Sequence, residues 1–296
     1  PVTGFKVEGS PDNNLLYEHL NFLHKKRPEA DDLRAKIEAT ADAQEKEALE
    51  KKLEDINNEV SAYQKKLIEK NPKTLTAAII RANIPMDQPE FSGDEEEVQR
   101  QLWRYTLEHF FDNLDLGDPR MLRTPMLFER VDYYVNKLNV QHPDTLSQAI
   151  DYLLNKMKPA EETFKYYLVH FLNYYAKSQF VGMDAVYVHL VNKYYAKGLA
   201  PWTEKEQLDK IIENAKALEP LLIGKVAPDI TLQKRDGSKI NLHGVNAEYT
   251  ILYFWKNDCG VCQKATPMLK EFNDKFKDKG VKIFAVCFKF GKDVPA

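Results

Sequence analysis

Cysteine is scarce in this sequence, and long apolar runs are missing. Three cysteines in 296 residues are too few for the disulfide framework of a small secreted domain. The longest runs rich in apolar residues, Tyr249–Trp255 and Ile283–Phe288, fall far short of the roughly 20 residues of a membrane-spanning helix. The chain begins at Pro1 with neither the basic nor the apolar segment of an export signal, so we expect any such signal to have been removed or excluded.

Charge of one sign is not in excess either. Lys and Arg number 42 and Asp and Glu number 45, for a formal net charge of −3, and no basic stretch marks a nucleic-acid-binding surface. We therefore expect no nucleic-acid partner. Apolar residues make up 43% and charged residues 29%, which is the balance of a globular chain. The length exceeds the roughly 250 residues at which single cores usually stop growing, so two domains are expected.

A change in composition near Pro220 indicates the domain boundary. Before it glycine is scarce and apolar residues recur at helical spacing, whereas after it short apolar runs alternate with turn dipeptides. The boundary is placed within Leu218–Lys225. Residues 11–220 are predicted to form an all-α domain, and residues 221–296 an α/β domain.

Most of the helical domain is predicted from caps and apolar spacing. An N-cap at Asp12 or Asn13 starts the first helix. Pro28 is predicted to open a second, very polar helix that extends to about Lys70, with a candidate break at Thr40–Ala43. Further helices are predicted at about 94–114, Pro125–Val140, Pro143–Lys158, Ala160–Gln179, Met183–Lys197 and Thr203–Leu218.

Two patterns in these helices allow two interpretations each. The apolar stripe of the polar helix indicates either a projecting arm that docks a partner or, as we favour, a helix packed against its neighbour. Tyrosine doublets indicate either a groove for a peptide or sugar or, as we favour, core packing with one ring of each pair at the rim. The stripe comprises Leu49, Leu53, Ile56, Val60, Tyr63 and Leu67, and the doublets are Tyr133-Tyr134, Tyr166-Tyr167, Tyr174-Tyr175 and Tyr194-Tyr195.

The pattern after Ile230 predicts a β-hairpin followed by a β-α-β unit. The last two strands are strongly apolar and should be parallel, joined by a right-handed crossover. Strands are predicted at Ile230–Gln233, Lys239–Leu242, Tyr249–Trp255 and Val281–Phe288, and the helix from Cys259 to about Lys277.

Two cysteines form the motif Cys259-Gly-Val-Cys262 at the start of that helix. The spacing brings the sulfurs within bonding range, and the helix end favours negative charge at Cys259, which lowers the pKa of its thiol. Cys259 is predicted to attack a substrate disulfide and Cys262 to resolve the mixed disulfide. A zinc half-site, a structural disulfide and a non-catalytic thiol pair remain alternatives. The zinc site lacks partners, because only His243 and Cys287 lie nearby without metal-like spacing, and Cys287 is expected to be a buried small hydrophobe.

Six motifs follow one another in this region: Gly224–Asp229, Asp236-Gly237, Leu242, Phe254-Trp255, Cys259–Cys262 and Pro267. Together they resemble the thioredoxin-like TlpA/ResA group of extracytoplasmic thiol–disulfide oxidoreductases. The resemblance implies Cys259 as nucleophile and Cys262 as resolving thiol, no cofactor and no metal. It implies reduction or isomerisation of protein disulfides in the periplasm or cell envelope, with protein clients and an upstream thiol electron donor. No transmembrane segment is expected in this chain, and an upstream lipid anchor is compatible with it.

Some positions depart from the pattern of this group. Where thioredoxin has a buried Asp the sequence has Tyr253, and where ResA-type proteins have a Glu it has Ala265, so the usual general base is missing. Asp258 would raise the pKa of the Cys259 thiol, and nearby lysines are candidates to compensate. The alternative function is therefore a non-catalytic envelope interaction protein, with a thioredoxin-like scaffold and a partner-binding helical domain.

The helical domain has motifs of its own: His109–Asn113, Arg123–Pro125, Pro143-Asp144, Gly182–Tyr187 and Tyr194–Trp202. They are similar to an uncharacterised helical domain that precedes thioredoxin-like domains in exported Bacteroidota proteins, and the similarity implies no activity. By hypothesis residues 1–10 are the tail of an upstream β domain, with Phe5–Gly9 as its last strand. A complete thioredoxin fold needs further strands and a cis-proline loop beyond Ala296, so we expect the natural protein to continue. The predicted fold class is thus a mostly α-helical domain followed by an incomplete α/β thioredoxin-like domain.

Overall fold

The computed structural model describes residues 7–234, 236–256 and 258–287. The chain divides into two compact units, Pro1–Glu219 and Pro220–Ala296. Within the described ranges, no helix is both long and apolar enough to cross a bilayer. The strand hypothesis for Phe5–Gly9 lies partly outside these ranges, and Glu8 and Gly9 form a bend.

The first unit is helical, and side-chain caps explain where several helices begin. The side-chain oxygens of Ser10, Asp42 and Asp94 accept backbone N–H groups in the first turns of the helices that follow them. The helix predicted to begin at about residue 94 has Asp94 as its N-cap, but it ends at His109 rather than at residue 114. The helices are α1 (Pro11–Ala39), α2 (Ala43–Lys70), α3 (Leu75–Ala82), α4 (Glu95–His109), α5 (Pro125–Tyr133), α6 (Pro143–Met157), α7 (Glu161–Ala176), α8 (Asp184–Leu190) and α9 (Lys205–Leu218), with π-helical turns at Tyr134–Leu138 and Val191–Tyr195.

The predicted start of the second helix at Pro28 is wrong, because Pro28 lies inside α1. Ala30 and Leu33 are buried beyond the proline, so packing against α2 holds the helix together across it. The break predicted within Thr40–Ala43 is confirmed: α1 ends at Ala39 and α2 begins at Ala43. Asp12 does not cap α1. Its carboxylate accepts the backbone N–H groups of Leu75 at 2.7 Å and Thr76 at 2.9 Å, which ties the start of α1 to α3.

The α1–α2 pair is antiparallel, as the contacts Lys26–Glu59 and Phe22–Tyr63 show. The Lys26 Nζ to Glu59 Oε2 distance is 2.5 Å. The favoured interpretation of the stripe, a helix packed on its neighbour, is confirmed. The small core of this pair consists of Ala30, Leu33 and Ile56, with Leu49, Leu53 and Val60 packed against it at partial exposure.

The tyrosine doublets follow the expected division at three of four places. Tyr134, Tyr167 and Tyr175 are buried, and their sequence neighbours are exposed. The expectation is wrong for Tyr194-Tyr195, where both rings are buried. This doublet lies in the π-helical turn that packs against α9.

A partly buried ion cluster links α6 to α8 and to the same π-helical turn. The Asp151 carboxylate accepts hydrogen bonds from Tyr194 Oη at 2.7 Å and Lys193 Nζ at 2.6 Å, and its Oδ2 lies 2.9 Å from His189 Nε2. Burial alone would raise the pKa of Asp151, but these hydrogen bonds outweigh it and hold the pKa below its usual range. The carboxylate is therefore ionised at neutral pH and fixes three side chains.

The buried His19 on α1 makes the free energy of unfolding depend on pH. Its ring is 6% exposed, its Nδ1 has no hydrogen-bond partner among the described residues, and burial lowers its pKa. Below pH 6.5 the unfolded chain therefore takes up a proton at this ring before the folded chain does. The His19 contribution to the free energy of unfolding should fall as pH falls, by at most about 1.4 kcal/mol per pH unit. Urea unfolding followed by circular dichroism between pH 7.5 and 5.5 measures this slope.

The substitution His19→Phe should reduce this slope, because it removes the titrating ring while keeping an aromatic beside Tyr63. Part of the slope should remain, since burial also lowers the pKa of His170. His24→Gln, at an exposed position of the same helix, is the matched control and should keep the wild-type slope. An unchanged slope in His19→Phe would contradict the assignment.

The second unit consists of a β-hairpin and a β-α-β unit, as predicted. The two apolar strands, β3 (Tyr249–Trp255) and β4 (Val281–Cys287), pair in parallel from Tyr249↔Val281 to Trp255↔Cys287. Gly280 precedes β4 with φ +76°, the left-handed conformation that favours glycine. Phe288, the predicted end of β4, lies outside the described residues. The elements are β1 (Thr231–Gln233), antiparallel to β2 (Lys239–Asn241), then β3 (Tyr249–Trp255), α10 (Gly260–Phe276) and β4 (Val281–Cys287).

Candidate active site

The two cysteines lie where β3 gives way to α10. Cys259 is the N-cap of α10, and its Sγ accepts the backbone N–H of Cys262 at 3.1 Å. The residues are joined by a disulfide with their Cα atoms 5.2 Å apart, so the expectation that the spacing brings the sulfurs together is confirmed. Both residues are half-buried. The sulfur that caps the helix therefore faces the positive end of the helix dipole and can be reached from solvent.

The two residues between the cysteines leave this surface open. Val261 is 77% exposed, and a Cβ added at Gly260 would meet nothing within 4 Å. A polypeptide can thus approach the disulfide along the first turn of α10.

Tyr253 stands where thioredoxin has its buried acid, and it contacts the turn that carries the cysteines. Its Oη lies 3.4 Å from the Cys262 carbonyl oxygen and 3.4 Å from Thr266 Oγ1. Thr266 Oγ1 itself donates to the Cys262 carbonyl oxygen at 2.7 Å. Two hydroxyl groups therefore fix the backbone at Cys262. The threonine, four residues after Cys262, has the spacing of such a bond and could have been found from sequence.

Asp258, the acidic residue directly before the cysteine pair, lies close to a lysine. Lys256 Nζ lies 3.4 Å from Asp258 Oδ1. Both side chains are largely exposed, so the pair is weak, yet it offsets part of the charge that Asp258 places before Cys259.

Two other candidate residues do not join the site. The expectation that Cys287 is buried is wrong: its thiol is free and exposed. Side chains alternate along β4, so Phe284 and Val286 take the buried face and Cys287 the other. His243 Nε2 lies 2.7 Å from the Ala227 carbonyl oxygen, in the hairpin. Within the described ranges, no group of three His, Cys, Asp or Glu side chains could hold a metal ion.

The β-α-β unit with a cysteine pair at the start of its helix is typical of a thioredoxin-like unit, and in the sequence it follows the helical unit. The chain belongs to the family with the domain of unknown function DUF5106, whose model matches residues 41–217. Residues 223–292 match the AhpC/TSA family and form the thioredoxin-like part.

The chain is similar to thiol-disulfide oxidoreductases and to a thioredoxin-like protein of known structure. The thiol-disulfide oxidoreductases ResA of Bacillus thuringiensis (strain Al Hakam), Bacillus cereus (strain ZK / E33L) and Bacillus anthracis are each 37% identical over 68 residues, 23% of this chain and 39% of theirs. The chain thus spans about two fifths of the length of these relatives. A thioredoxin-like protein from Bacteroides caccae shares the fold, with a TM-score of 0.50 and 17% identity over 69% of this chain and 75% of that one.

Proposed function

We propose that this protein is a thiol–disulfide oxidoreductase in which Cys259 and Cys262 exchange with disulfides of client proteins. The observation that carries the proposal is the half-buried disulfide closed across the N-cap of α10, with the Cys262 N–H on Cys259 Sγ. That N–H and the helix end stabilise a thiolate at Cys259 once the disulfide is reduced. In this proposal residues 11–220 are the helical domain and residues 221–296 the redox domain.

The reaction proceeds in two exchanges. The Cys259 thiolate attacks one sulfur of the client disulfide, forms a mixed disulfide, and releases the other client sulfur, which takes up a proton. Cys262 then loses its proton and attacks Cys259 Sγ, which closes the Cys259–Cys262 disulfide and releases the second client thiol. Two electrons pass to the client, and a thiol donor must return two electrons and two protons to reopen the pair.

The proposed compartment is the periplasm or cell envelope. Disulfides persist in oxidising compartments, and the motifs around the cysteines resemble those of extracytoplasmic oxidoreductases. The partners in this proposal are disulfide-containing client proteins and an upstream thiol donor.

One observation favours a second candidate, a non-catalytic interaction protein. Tyr253 and Ala265 occupy the positions of the acids that move protons in related proteins. A scaffold that no longer catalyses exchange would not need those acids.

Turnover of a protein disulfide by the full chain separates the two candidates. With dithiothreitol as donor, the wild type should reduce insulin clearly faster than dithiothreitol alone, and Cys259→Ala/Cys262→Ala should not. The cysteine pair is only half-buried, so neither alanine should unfold the chain. Wild-type rates equal to those of dithiothreitol alone, together with no reactivation of scrambled ribonuclease, would establish the scaffold.

A further inference from the structure

The α1–α2 pair has a groove whose charged lining is of one sign. The groove has a volume of about 450 Å³, and its apolar floor includes Leu20, Leu23, Ile56 and Val60. Its ionisable lining residues are His24, Lys26, Arg27 and Arg34. No Asp or Glu lines this part of the described chain. An apolar floor beneath a basic rim is a surface for an amphipathic ligand.

The basic groups differ in how far they are already neutralised. Lys26 is paired with Glu59 across the two helices at 2.5 Å, and Arg34 with Asp31 at 2.8 Å. Arg27 is exposed and has no ion pair among the described residues. The rim therefore retains positive charge centred on Arg27, and an acidic ligand complements it.

The shape of the groove selects a helix. From Leu20 to Arg34 it follows 15 residues of α1, whose first and last Cα atoms are about 21 Å apart along the helix axis at a rise of about 1.5 Å per residue. Two antiparallel helices with partly exposed leucines along their seam provide the surface on which a third helix packs in a coiled coil. Arg27 and Arg34 are seven residues apart and thus lie on the same face of α1. A ligand helix with carboxylates at the same seven-residue spacing would reach both.

We propose that this groove binds an amphipathic helix of another protein, with leucine-type residues on its apolar face and glutamates beside them. The helix lies along the α1–α2 seam, buries its apolar face against Leu20, Leu23 and Val60, and pairs its glutamates with Arg27 and Arg34. The site is independent of the thiol chemistry. It assigns a partner-binding role to the helical unit.

Two synthetic peptides of about three heptads test the proposal. Both carry leucine at the two core positions of each heptad, and they differ only in having glutamate or lysine at the flanking positions. The labelled peptides are titrated with the full chain, and binding is followed by fluorescence anisotropy. The glutamate peptide should bind at least about tenfold more tightly than the lysine peptide, and its affinity should fall with added salt.

Charge reversal in the chain supplies the second arm of the test. Arg27→Glu/Arg34→Glu should reverse the preference between the peptides, by about tenfold or more in each direction. Lys65→Glu, at an exposed position of α2 outside the groove, should leave the preference unchanged. Far-UV circular dichroism establishes that each variant keeps its helices.

Several outcomes would overturn the proposal. They are equal binding of the two peptides, no binding of the glutamate peptide up to about 100 µM, or an unchanged preference in Arg27→Glu/Arg34→Glu. The oligomeric state, measured by analytical ultracentrifugation, supplies one further outcome that would overturn the proposal. A dimer that the charge reversal dissociates would identify a second copy of this chain, rather than a foreign helix, as the occupant.

Discussion

The substitution Cys262→Ser is expected to convert a transient exchange intermediate into a stable one. Without the second sulfur, the mixed disulfide between Cys259 and a client can be resolved only by an external thiol. The lost intramolecular attack has an effective molarity far above cellular thiol concentrations, so the lifetime of the adduct should rise by at least about a hundredfold. Non-reducing electrophoresis followed by mass spectrometry of the adducts measures the effect.

The background for this experiment should be Cys287→Ser, since Cys287 is free and exposed and could itself capture clients. In that background every adduct of Cys262→Ser must be on Cys259. The matched control Cys259→Ser leaves Cys262 as the remaining thiol. Cys262 lies inside the first turn of α10 rather than at its N-cap, so its thiolate is less favoured and it should form few adducts. Equal trapping by both variants, or trapping by neither in the native compartment, would remove Cys259 from the role of nucleophile.

The second large effect concerns stability and is expected at Asp151. Its side chain is 13% exposed and holds Tyr194, Lys193 and His189 together. Asp151→Ala leaves the buried Tyr194 hydroxyl without its acceptor and removes the carboxylate that Lys193 and His189 share. We expect a loss of about 2 to 4 kcal/mol in the free energy of unfolding. Urea unfolding at pH 7.5, followed by the helical circular dichroism signal, measures it.

Asn155→Ala is the control for Asp151, because Asn155 is an exposed residue on the same helix. It should change the free energy of unfolding by no more than about 0.5 kcal/mol. A similarly small effect in Asp151→Ala would mean that the cluster is solvated rather than structural. Because the pKa of Asp151 is depressed, the stabilisation it provides should be present at neutral pH and lost as pH falls below its unfolded value of about 3.9.

Local patterns were sufficient to predict the parts of the fold that short-range physics dictates. Tyr249–Trp255 is a single apolar run between turns, and it forms β3 as predicted, in parallel with the second apolar strand. The cysteine spacing likewise determined the disulfide at the start of α10, since one helical turn leaves little freedom for the two sulfurs.

Some predictions are wrong or missing because contacts between distant parts of the chain determine the structure there. Pro28 has the features of a helix start, and only the packing of Ala30 and Leu33 against α2 shows that α1 continues through it. The short helix α3 was not predicted, although Thr74 caps it locally by accepting the Ala77 N–H. The structure adds a contact that the sequence does not show, because Asp12, more than 60 residues away, accepts two further N–H groups of its first turn. At the candidate active site, the sequence identified Tyr253 as a departure from the thioredoxin pattern, but only the structure shows its hydroxyl beside the Cys262 carbonyl oxygen.

The hydrogen bonds from Leu75 and Thr76 to Asp12 have an architectural consequence. They join positions that are 63 and 64 residues apart in the sequence. The α1–α2 hairpin between them therefore begins and ends at the same place in the helical unit. Such a hairpin can grow or shrink by whole heptads without relocating the helices after it, much as insertions are tolerated where chain ends are close. The length of the α1–α2 hairpin can therefore change without a change in the helices that follow it.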